Sequence, residues 1–217
     1  MRPTSSLRHA LHAAFFAAGL PLAPAVAQDR AGDFDFYVLS LSWSPTFCAL
    51  DGRDNRQQCG SNADFGFIVH GLWPQYEQGF PEFCATRHDD RVPRDLGQDY
   101  FDIMPGMGLI GHQWRKHGSC TGLSPDDYLA LTREAYERIQ IPDELDGRGP
   151  ISLSAADVET GFLNANPGLS EDGIAATCSA GALDEVRICL TKDLDFRACR
   201  EVDARSCRQR LIEVPAR

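Results

Sequence analysis

After residue 24, the sequence of 217 residues has no apolar run of the roughly 20 residues that a membrane-spanning helix needs. The apolar stretch at residues 10–24 is short and is interrupted by Pro21 and Pro24. It follows two arginines without any acidic residue and leads into AVAQ, which fits the small-x-small pattern of signal-peptidase cleavage. We therefore interpret residues 1–27 as a secretory signal peptide and residues 28–217 as a single exported domain.

Positive charge is scarce. The sequence has 21 lysines and arginines against 31 acidic residues, and its net charge of −10 becomes −12 once the two arginines of the signal are removed. Such a charge argues against nonspecific adhesion to nucleic acid or to an anionic membrane. A nucleic-acid substrate then requires a local basic site that outweighs the overall repulsion.

Closely spaced cysteine pairs are also absent, since no two cysteines have the C-x-x-C spacing of common zinc sites. An even number of cysteines in an exported chain instead predicts disulfides. Eight cysteines allow 105 connectivities, and spacing alone does not choose among them. The eight are Cys48, Cys59, Cys84, Cys120, Cys178, Cys189, Cys199 and Cys207.

The sequence shows no repeat, low-complexity tract or linker, and it mixes strand and helix patterns. Aromatic and β-branched segments predict strands at residues 34–43, 65–73 and 185–190, and capping signals predict helices that begin at Ser124 and Ser154. Residues 191–207 are too polar for a core, and we predict a strand pair and a loop held by cysteines there. These patterns together predict one α+β domain.

Histidine and lysine are also rare, with four histidines and two lysines after residue 27. Most of them fall in two short motifs, IVHGLWPQ and GHQWRKHG, which contain His70, His112, Lys116 and His117. The remaining histidine, His88, lies in the polar stretch TRHDD, and we interpret it as a surface residue. Because the chain otherwise prefers arginine, a lysine within such a motif indicates a specific role.

The apolar spacing within LIGHQWRKHG permits a helix. In such a helix His112 and Lys116 lie one turn apart on one face, and Gln113 neighbours both Lys116 and His117. A zinc site is the main alternative. Helical zinc ligands are usually four residues apart, whereas His112 and His117 are five apart and no carboxylate accompanies them. We therefore predict no metal at these residues.

Two imidazoles and a lysine without a metal point to phosphoryl transfer on RNA. Imidazole titrates near neutral pH, so one ring can accept a proton while the other donates one. RNA supplies its own nucleophile, the 2′-hydroxyl, and cations stabilise the charge that develops on the phosphate oxygens.

The segments FIVHGLWPQ and HQWRKHGSC closely resemble the two active-site segments of the ribonuclease T2 family, and FDFYVLSLSWSPTFC resembles the first core strand of that family. The resemblance runs from about Phe34 to Tyr136. It implies a central antiparallel sheet flanked by helices and stapled by disulfides. The pairing that it implies is Cys84–Cys120, Cys178–Cys207, Cys189–Cys199 and Cys48–Cys59.

The resemblance also implies roles for individual residues. His117 would be the general base on the 2′-hydroxyl, and His70 the general acid for the leaving 5′-oxygen. His112 would hold the phosphate, and Lys116 would stabilise the transition state. Trp73 would stack on the base 5′ to the cut. The alternative for Trp73 is a buried indole beside its proline neighbour.

Two positions depart from the usual family pattern. Gln113 stands where the family usually has glutamate, and Gln75 lies near a position that often carries an acid or amide and helps to choose the base. The rate and the base preference are therefore open at this point. We predict an exported, metal-independent endoribonuclease of bacterial type that cleaves single-stranded RNA through a 2′,3′-cyclic phosphate.

We expect no cofactor, no DNA or membrane partner, a monomer, and a location in the periplasm or the medium. Two alternatives remain. One is a catalytically impaired relative that binds RNA as a recognition protein, and the other is a metal-dependent phosphoesterase.

Overall fold

The computed structural model describes residues 29–147 and 149–217, so the predicted signal peptide at residues 1–27 lies outside the described residues. The described chain contains one sheet whose strands lie in the order β2-β1-β5-β6-β3, and β4 also pairs with β5. The strands are β1 (Phe36–Trp43), β2 (Phe67–Gln75), β3 (Ile151–Leu153), β4 (Ile174–Ser179), β5 (Ala182–Leu190) and β6 (Ile212–Val214).

The strand directions match the predicted antiparallel sheet except at one place. The pairs β1–β2, β1–β5, β3–β6 and β4–β5 are antiparallel, whereas β5 and β6 pair in parallel at Ala182 and Glu213. A short hairpin forces its two strands to be antiparallel, but a long connection joins β5 to β6 and leaves the direction free. The sheet is therefore mixed.

The helices surround this sheet. They are α1 (Ser44–Leu50), α2 (Arg56–Cys59), α3 (Arg94–Gln98), α4 (Met107–Lys116), α5 (Pro125–Glu137), α6 (Ala155–Ala165) and α7 (Arg200–Asp203), with 3₁₀ turns at Gly118–Thr121, Asp143–Leu145 and Glu171–Gly173. None of the helices in the described ranges has the length and apolar character needed to cross a membrane.

The two predicted helix starts are confirmed. The Ser124 side chain accepts a hydrogen bond from the backbone N–H of Asp127 at the start of α5. Ser154 and Asp157 form a reciprocal capping box at the start of α6. Both serines satisfy backbone donors that the first turn of a helix leaves unpaired.

The prediction of a strand pair in residues 191–207 is wrong. This segment contains a turn and the short helix α7, and its strand-like contact is a single bridge between Leu190 and Phe196. The Thr191 hydroxyl accepts hydrogen bonds from the backbone N–H groups of residues 193 and 195, which closes the turn. Helix α7 then begins at Arg200, directly after Cys199, so the chain there is helical and not extended.

The core lies mainly on one face of the sheet, where alternate residues of β1 point. Leu39, Leu41 and Trp43 belong to this main core. Phe36 and Val38 point to the opposite face, where a smaller apolar cluster includes residues of α7. Helix α7 thus packs through Val202 on part of the second face of the sheet.

Four disulfides confirm the pairing that the family resemblance implied, and no cysteine of the described chain is free. The Cys84–Cys120 bond joins the segment after β2 to the 3₁₀ turn after α4. The bonds are Cys48–Cys59, Cys84–Cys120, Cys178–Cys207 and Cys189–Cys199.

Candidate active site

An irregularity in β2 determines where the first motif points. The pairing of β1 with β2 shifts after Ser40, which lies opposite Gly71, while Leu41 lies opposite Val69. His70 is therefore the extra residue of a β-bulge. Residues three apart on a regular strand face opposite sides, but this bulge places His70 and Trp73 on the same cavity.

Helix α4 presents the second motif. Its residues Ile110 and Trp114 are fully buried in the main core, and His112 and Lys116 lie on the cavity side. The helix begins and ends two residues earlier than the predicted segment, so it ends at Lys116 and His117 lies at its C-cap. The 3₁₀ turn that follows holds Cys120, whose disulfide fixes this end of the helix.

The seven residues predicted for catalysis and substrate binding line one cavity of about 280 Å³. They are His70, Trp73, Gln75, His112, Gln113, Lys116 and His117. Five further residues, which the sequence analysis did not single out, complete the wall: Phe80, Arg187, Glu201, Val202 and Arg205. The two motifs, which are about 40 residues apart, therefore form one site with the C-terminal part of the chain.

A second cavity of about 540 Å³ lies on the other side of His70 and His112, which line both cavities. Its wall includes Leu109 of α4 and Asp184 and Glu185 of β5. The two histidines thus separate the two cavities.

The His117 ring is enclosed. It is 5% exposed and stacks on the Trp73 indole with ring centroids 5.2 Å apart and an interplanar angle of 28°. Its Nδ1 is buried without a hydrogen-bond partner in the described chain. Burial lowers the pKa of His117 to about 3, and the positive charges of Lys116, His70 and His112 act in the same direction. His117 is therefore neutral at ordinary pH.

The His70 ring is more open, with 37% of its side chain exposed, and it meets the Trp73 indole edge-on at 5.3 Å. Its Nδ1 hydrogen bonds to Oε1 of Glu185 on β5. Arg187 donates to the other carboxylate oxygen through Nε at 2.8 Å and Nη2 at 2.6 Å. Burial alone would raise the pKa of Glu185, but the interactions with His70 and Arg187 outweigh it and lower the pKa to about 2.

The sequence analysis missed Glu185 and Arg187. They lie two residues apart on a predicted strand, so they share one face of the sheet. A glutamate and an arginine at such positions of an otherwise apolar strand were the available signal. Only the fold brings them to His70, from which Glu185 is separated by 115 residues.

Gln113 binds Trp73. Its side-chain Oε1 accepts a hydrogen bond from the indole Nε1 at 2.8 Å, and the residue is 1% exposed. A Cβ at Gly71 would lie 2.2 Å from this oxygen and 2.4 Å from the indole nitrogen. The glycine of the first motif is therefore required for this contact. The indole of Trp73 is half-buried, so it is held by the protein while it lines the cavity.

Lys116 and His112 supply positive charge to the cavity. Lys116 Nζ lies 3.6 Å from a carboxylate oxygen of Glu82 and 5.7 Å from the centroid of the Phe80 ring. Burial lowers the pKa of His112, and the charges of Lys116, Arg115 and His70 lower it further.

The two remaining predicted positions differ in their surroundings. Gln75 is buried and donates from Nε2 to the carbonyl of Pro74 at 3.0 Å. His88 does not line the cavity; it is half-buried and faces Trp114 edge-on, with ring centroids 6.4 Å apart. Among the residues that the structure describes, no group of three or more histidine, cysteine or acidic side chains could hold a metal ion.

Comparison with known proteins places this geometry in context. Residues 34–199 match the model of the ribonuclease T2 family. The chain is 35% identical over 173 residues to a ribonuclease of Aeromonas hydrophila, which covers 77% of this chain and 76% of that protein. It is also 35% identical over 132 residues to a probable ribonuclease of Haemophilus influenzae, which covers 55% and 48% of the two chains.

A similar fold occurs among solved structures. The RNase-related protein from Calystegia sepium superposes with a TM-score of 0.69 at 22% identity, over 84% of this chain and 97% of that one. At this identity the likeness is one of fold.

Proposed function

The chain belongs to the ribonuclease T2 family and is an endoribonuclease, and we propose that it cleaves single-stranded RNA through a 2′,3′-cyclic phosphate without a metal ion. One observation carries the proposal: His70, Lys116 and His117 line one cavity, and both imidazoles contact the same indole. One proton acceptor, one proton donor and one cation are what transphosphorylation requires.

The two histidine environments support the proposed roles. His117, whose pKa is lowered to about 3, is neutral and can accept the proton of the 2′-hydroxyl. The freed oxygen attacks phosphorus, the bond from phosphorus to the 5′-oxygen breaks, and His70 donates a proton to that oxygen. The products are a 2′,3′-cyclic phosphate and a free 5′-hydroxyl, and His117 is left protonated and His70 neutral.

Lys116 and His112 serve the phosphate in this scheme. Both line the cavity beside the two proton-transferring histidines. The ammonium of Lys116 stabilises the additional negative charge of five-coordinate phosphorus. His112 borders both cavities and holds the phosphate between them.

The two cavities suit the nucleotides on either side of the cut. The smaller one contains Trp73, Gln75 and Phe80, which offer two aromatic rings and an amide, and we assign it to the base 5′ to the cut. The larger one, beyond His70 and His112, is assigned to the nucleoside that leaves.

The cavity contains cationic side chains although the protein as a whole is acidic. Lys116, Arg187 and Arg205 line the smaller cavity, in a sequence whose net charge is −10. Each of these cations has a carboxylate neighbour, which is Glu82 for Lys116, Glu185 for Arg187 and Glu201 for Arg205. We therefore propose that an RNA phosphate in the cavity competes with these carboxylates for the cations.

We also propose that the protein acts outside the cytoplasm, in the periplasm or the medium, after removal of residues 1–27. Four disulfides support this location because such bonds persist in oxidising compartments. We propose a monomer, in which one chain brings the seven predicted site residues to one cavity. No DNA cleavage and no membrane binding are expected.

The test is incubation of the purified protein with RNA in excess chelator, with DNA as a parallel substrate. We expect RNA fragments with cyclic-phosphate ends and intact DNA, because DNA lacks the 2′-hydroxyl. A His70→Ala preparation purified in the same way controls for contaminating ribonucleases. Loss of cleavage on metal removal would favour a metal-dependent phosphoesterase, and binding without cleavage would favour a recognition protein.

A further inference from the structure

We propose that Glu185 is a positioning residue for RNA cleavage, which holds Nδ1 of His70 so that Nε2 delivers the proton to the leaving 5′-oxygen. The proposal rests on the proposed function and adds a residue outside both sequence motifs. It concerns the carboxylate of Glu185 and the guanidinium of Arg187, which orients that carboxylate.

The carboxylate is held on every side. Oε1 bonds to His70, and Oε2 accepts two N–H groups of Arg187 at 2.8 and 2.6 Å. The backbone N–H of Glu185 donates to the Thr177 hydroxyl at 3.1 Å, and the residue pairs with Ser42 in the sheet. Its side chain is 6% exposed. Glu185 therefore has one available position, and that position faces His70.

His70 needs such a partner because it lies in a bulge. A bulged residue has no place in the regular strand ladder, so its side-chain direction depends more on its own contacts. An imidazole has two different nitrogens, and a carboxylate at one of them fixes both the ring orientation and the nitrogen that carries the retained proton. With Nδ1 bonded to Glu185, Nε2 remains for the substrate.

Arg187 makes the carboxylate compatible with an RNA phosphate. A lone carboxylate beside the scissile phosphate would repel it, and the two N–H bonds from Arg187 place a positive charge against Glu185. The same guanidinium lies 5.4 Å from the centroid of the Trp73 ring. Arg187 thus connects the Glu185–His70 contact to the base-binding cavity.

The charged surroundings of His70 indicate why the removal of Glu185 should lower the activity. Asp184, Glu185 and Arg187 face it from β5, and His112, Lys116 and His117 face it from α4 and its C-cap. Glu185 is the carboxylate that bonds the ring, and the groups from α4 are basic. Without this carboxylate the contact that orients the ring at Nδ1 is lost, so we expect proton delivery from Nε2 to the leaving 5′-oxygen to become less efficient.

The experiment is a double-mutant cycle on dinucleotide cleavage with wild type, Glu185→Gln, His70→Ala and the double variant. We expect Glu185→Gln to lower kcat by roughly 10- to 100-fold with little change in KM. In the His70→Ala background the same substitution should cause no further loss, because residues that act as a unit are not additive.

Glu159→Gln is the matched control. Glu159 also accepts two protein hydrogen bonds, from the Ala176 N–H at 2.8 Å and the Ser206 hydroxyl at 2.6 Å, but it lines neither cavity. We expect activity and its pH profile to stay near wild type in this variant.

Three results would overturn the proposal. A Glu185→Gln loss of equal size in the His70→Ala background would mean that Glu185 does not act through His70. A loss that depends on the base 3′ to the cut would indicate base recognition in the larger cavity instead. The third result concerns nitrogen-15 NMR of the wild-type protein, which is independent of activity and of the folding of any variant. Neutral His70 should carry its proton on Nδ1, and a proton on Nε2 would contradict the contact.

A wild-type protein that leaves RNA intact would overturn the proposed function itself. The NMR measurement would then still decide whether Glu185 holds the His70 ring.

Discussion

His70 and His117 share one cavity and one indole neighbour, yet their surroundings differ. The His70 side chain is 37% exposed and bonds an ionised carboxylate, whereas His117 is 5% exposed, has its Nδ1 unpaired and stacks on Trp73. The charges that act on the His117 pKa are all positive. Titratable groups in such different environments suit opposite roles in proton transfer. This difference supports our proposal that His117 accepts a proton and His70 donates one.

The largest expected effect comes from the removal of either ring. His70→Ala and His117→Ala should each lower turnover by at least ~10²-fold, because each removes a general acid or base. RNA cleavage kinetics measure this directly. His88→Ala is the control, since His88 lies away from the cavity. An equal loss of turnover in that variant would contradict the choice of His70 and His117 as the proton-transferring residues.

The position of the acidic limb sharpens the comparison. A base with a pKa of about 3 stays unprotonated down to low pH. The acidic limb of kcat/KM should therefore lie far below pH 6.5, the usual pKa of a free imidazole. The same shift makes folding less favourable as pH falls from 6.5 towards 3, because the unfolded chain binds the proton more readily. Circular dichroism at each pH should therefore accompany the assay. An acidic limb near pH 6.5 in a folded protein would contradict the enclosed state of His117.

A smaller effect is expected at the indole between the two histidines. Trp73→Phe keeps an aromatic ring beside His117 but removes the N–H that Gln113 accepts at 2.8 Å. The buried Gln113 oxygen would lose its partner, and we expect the free energy of unfolding to fall by about 1–3 kcal/mol. Thermal or denaturant unfolding measures this change. Unchanged stability would mean that the indole N–H does not support the site.

The smallest effect concerns Gln113 itself. A glutamate there would favour the protonated form of His117 and raise its pKa, so the acidic limb should move to higher pH. Lys116 lies within reach of position 113 and partly neutralises the new charge, so we expect a shift of less than about one pH unit. Comparison of the pH profiles of Gln113→Glu and wild type checks this. An acidic limb that stays fixed or moves to lower pH would mean that His117 is not the base, or that residue 113 does not face it.

Local signals explain what the sequence could predict. Short patterns in the sequence indicated the strands β1 and β2 and the two capped helix starts. Motifs of about ten residues indicated the seven site residues, which line one cavity in the structure. The disulfide pairing followed from the family resemblance, since spacing left 105 connectivities open.

What the sequence could not predict depends on distant parts of the chain. The bulge at His70 arises from the register of two strands, and Glu185 reaches His70 across 115 residues. The turn and helix α7 within residues 191–207 lie next to the Cys189–Cys199 disulfide, whose pairing the cysteine spacing alone did not identify. Glu201 of α7 borders the cavity although it lies far along the chain from both motifs.

The most direct test of the two assignments uses a dinucleotide in which sulfur replaces the leaving 5′-oxygen. A thiolate leaves without a proton far more readily than an alkoxide, so the donor is no longer needed while the acceptor of the 2′-hydroxyl proton still is. We predict that His70→Ala regains most of its lost rate on this substrate and that His117→Ala does not. Recovery by His117→Ala, with His70→Ala still impaired, would contradict the assignment of both histidines.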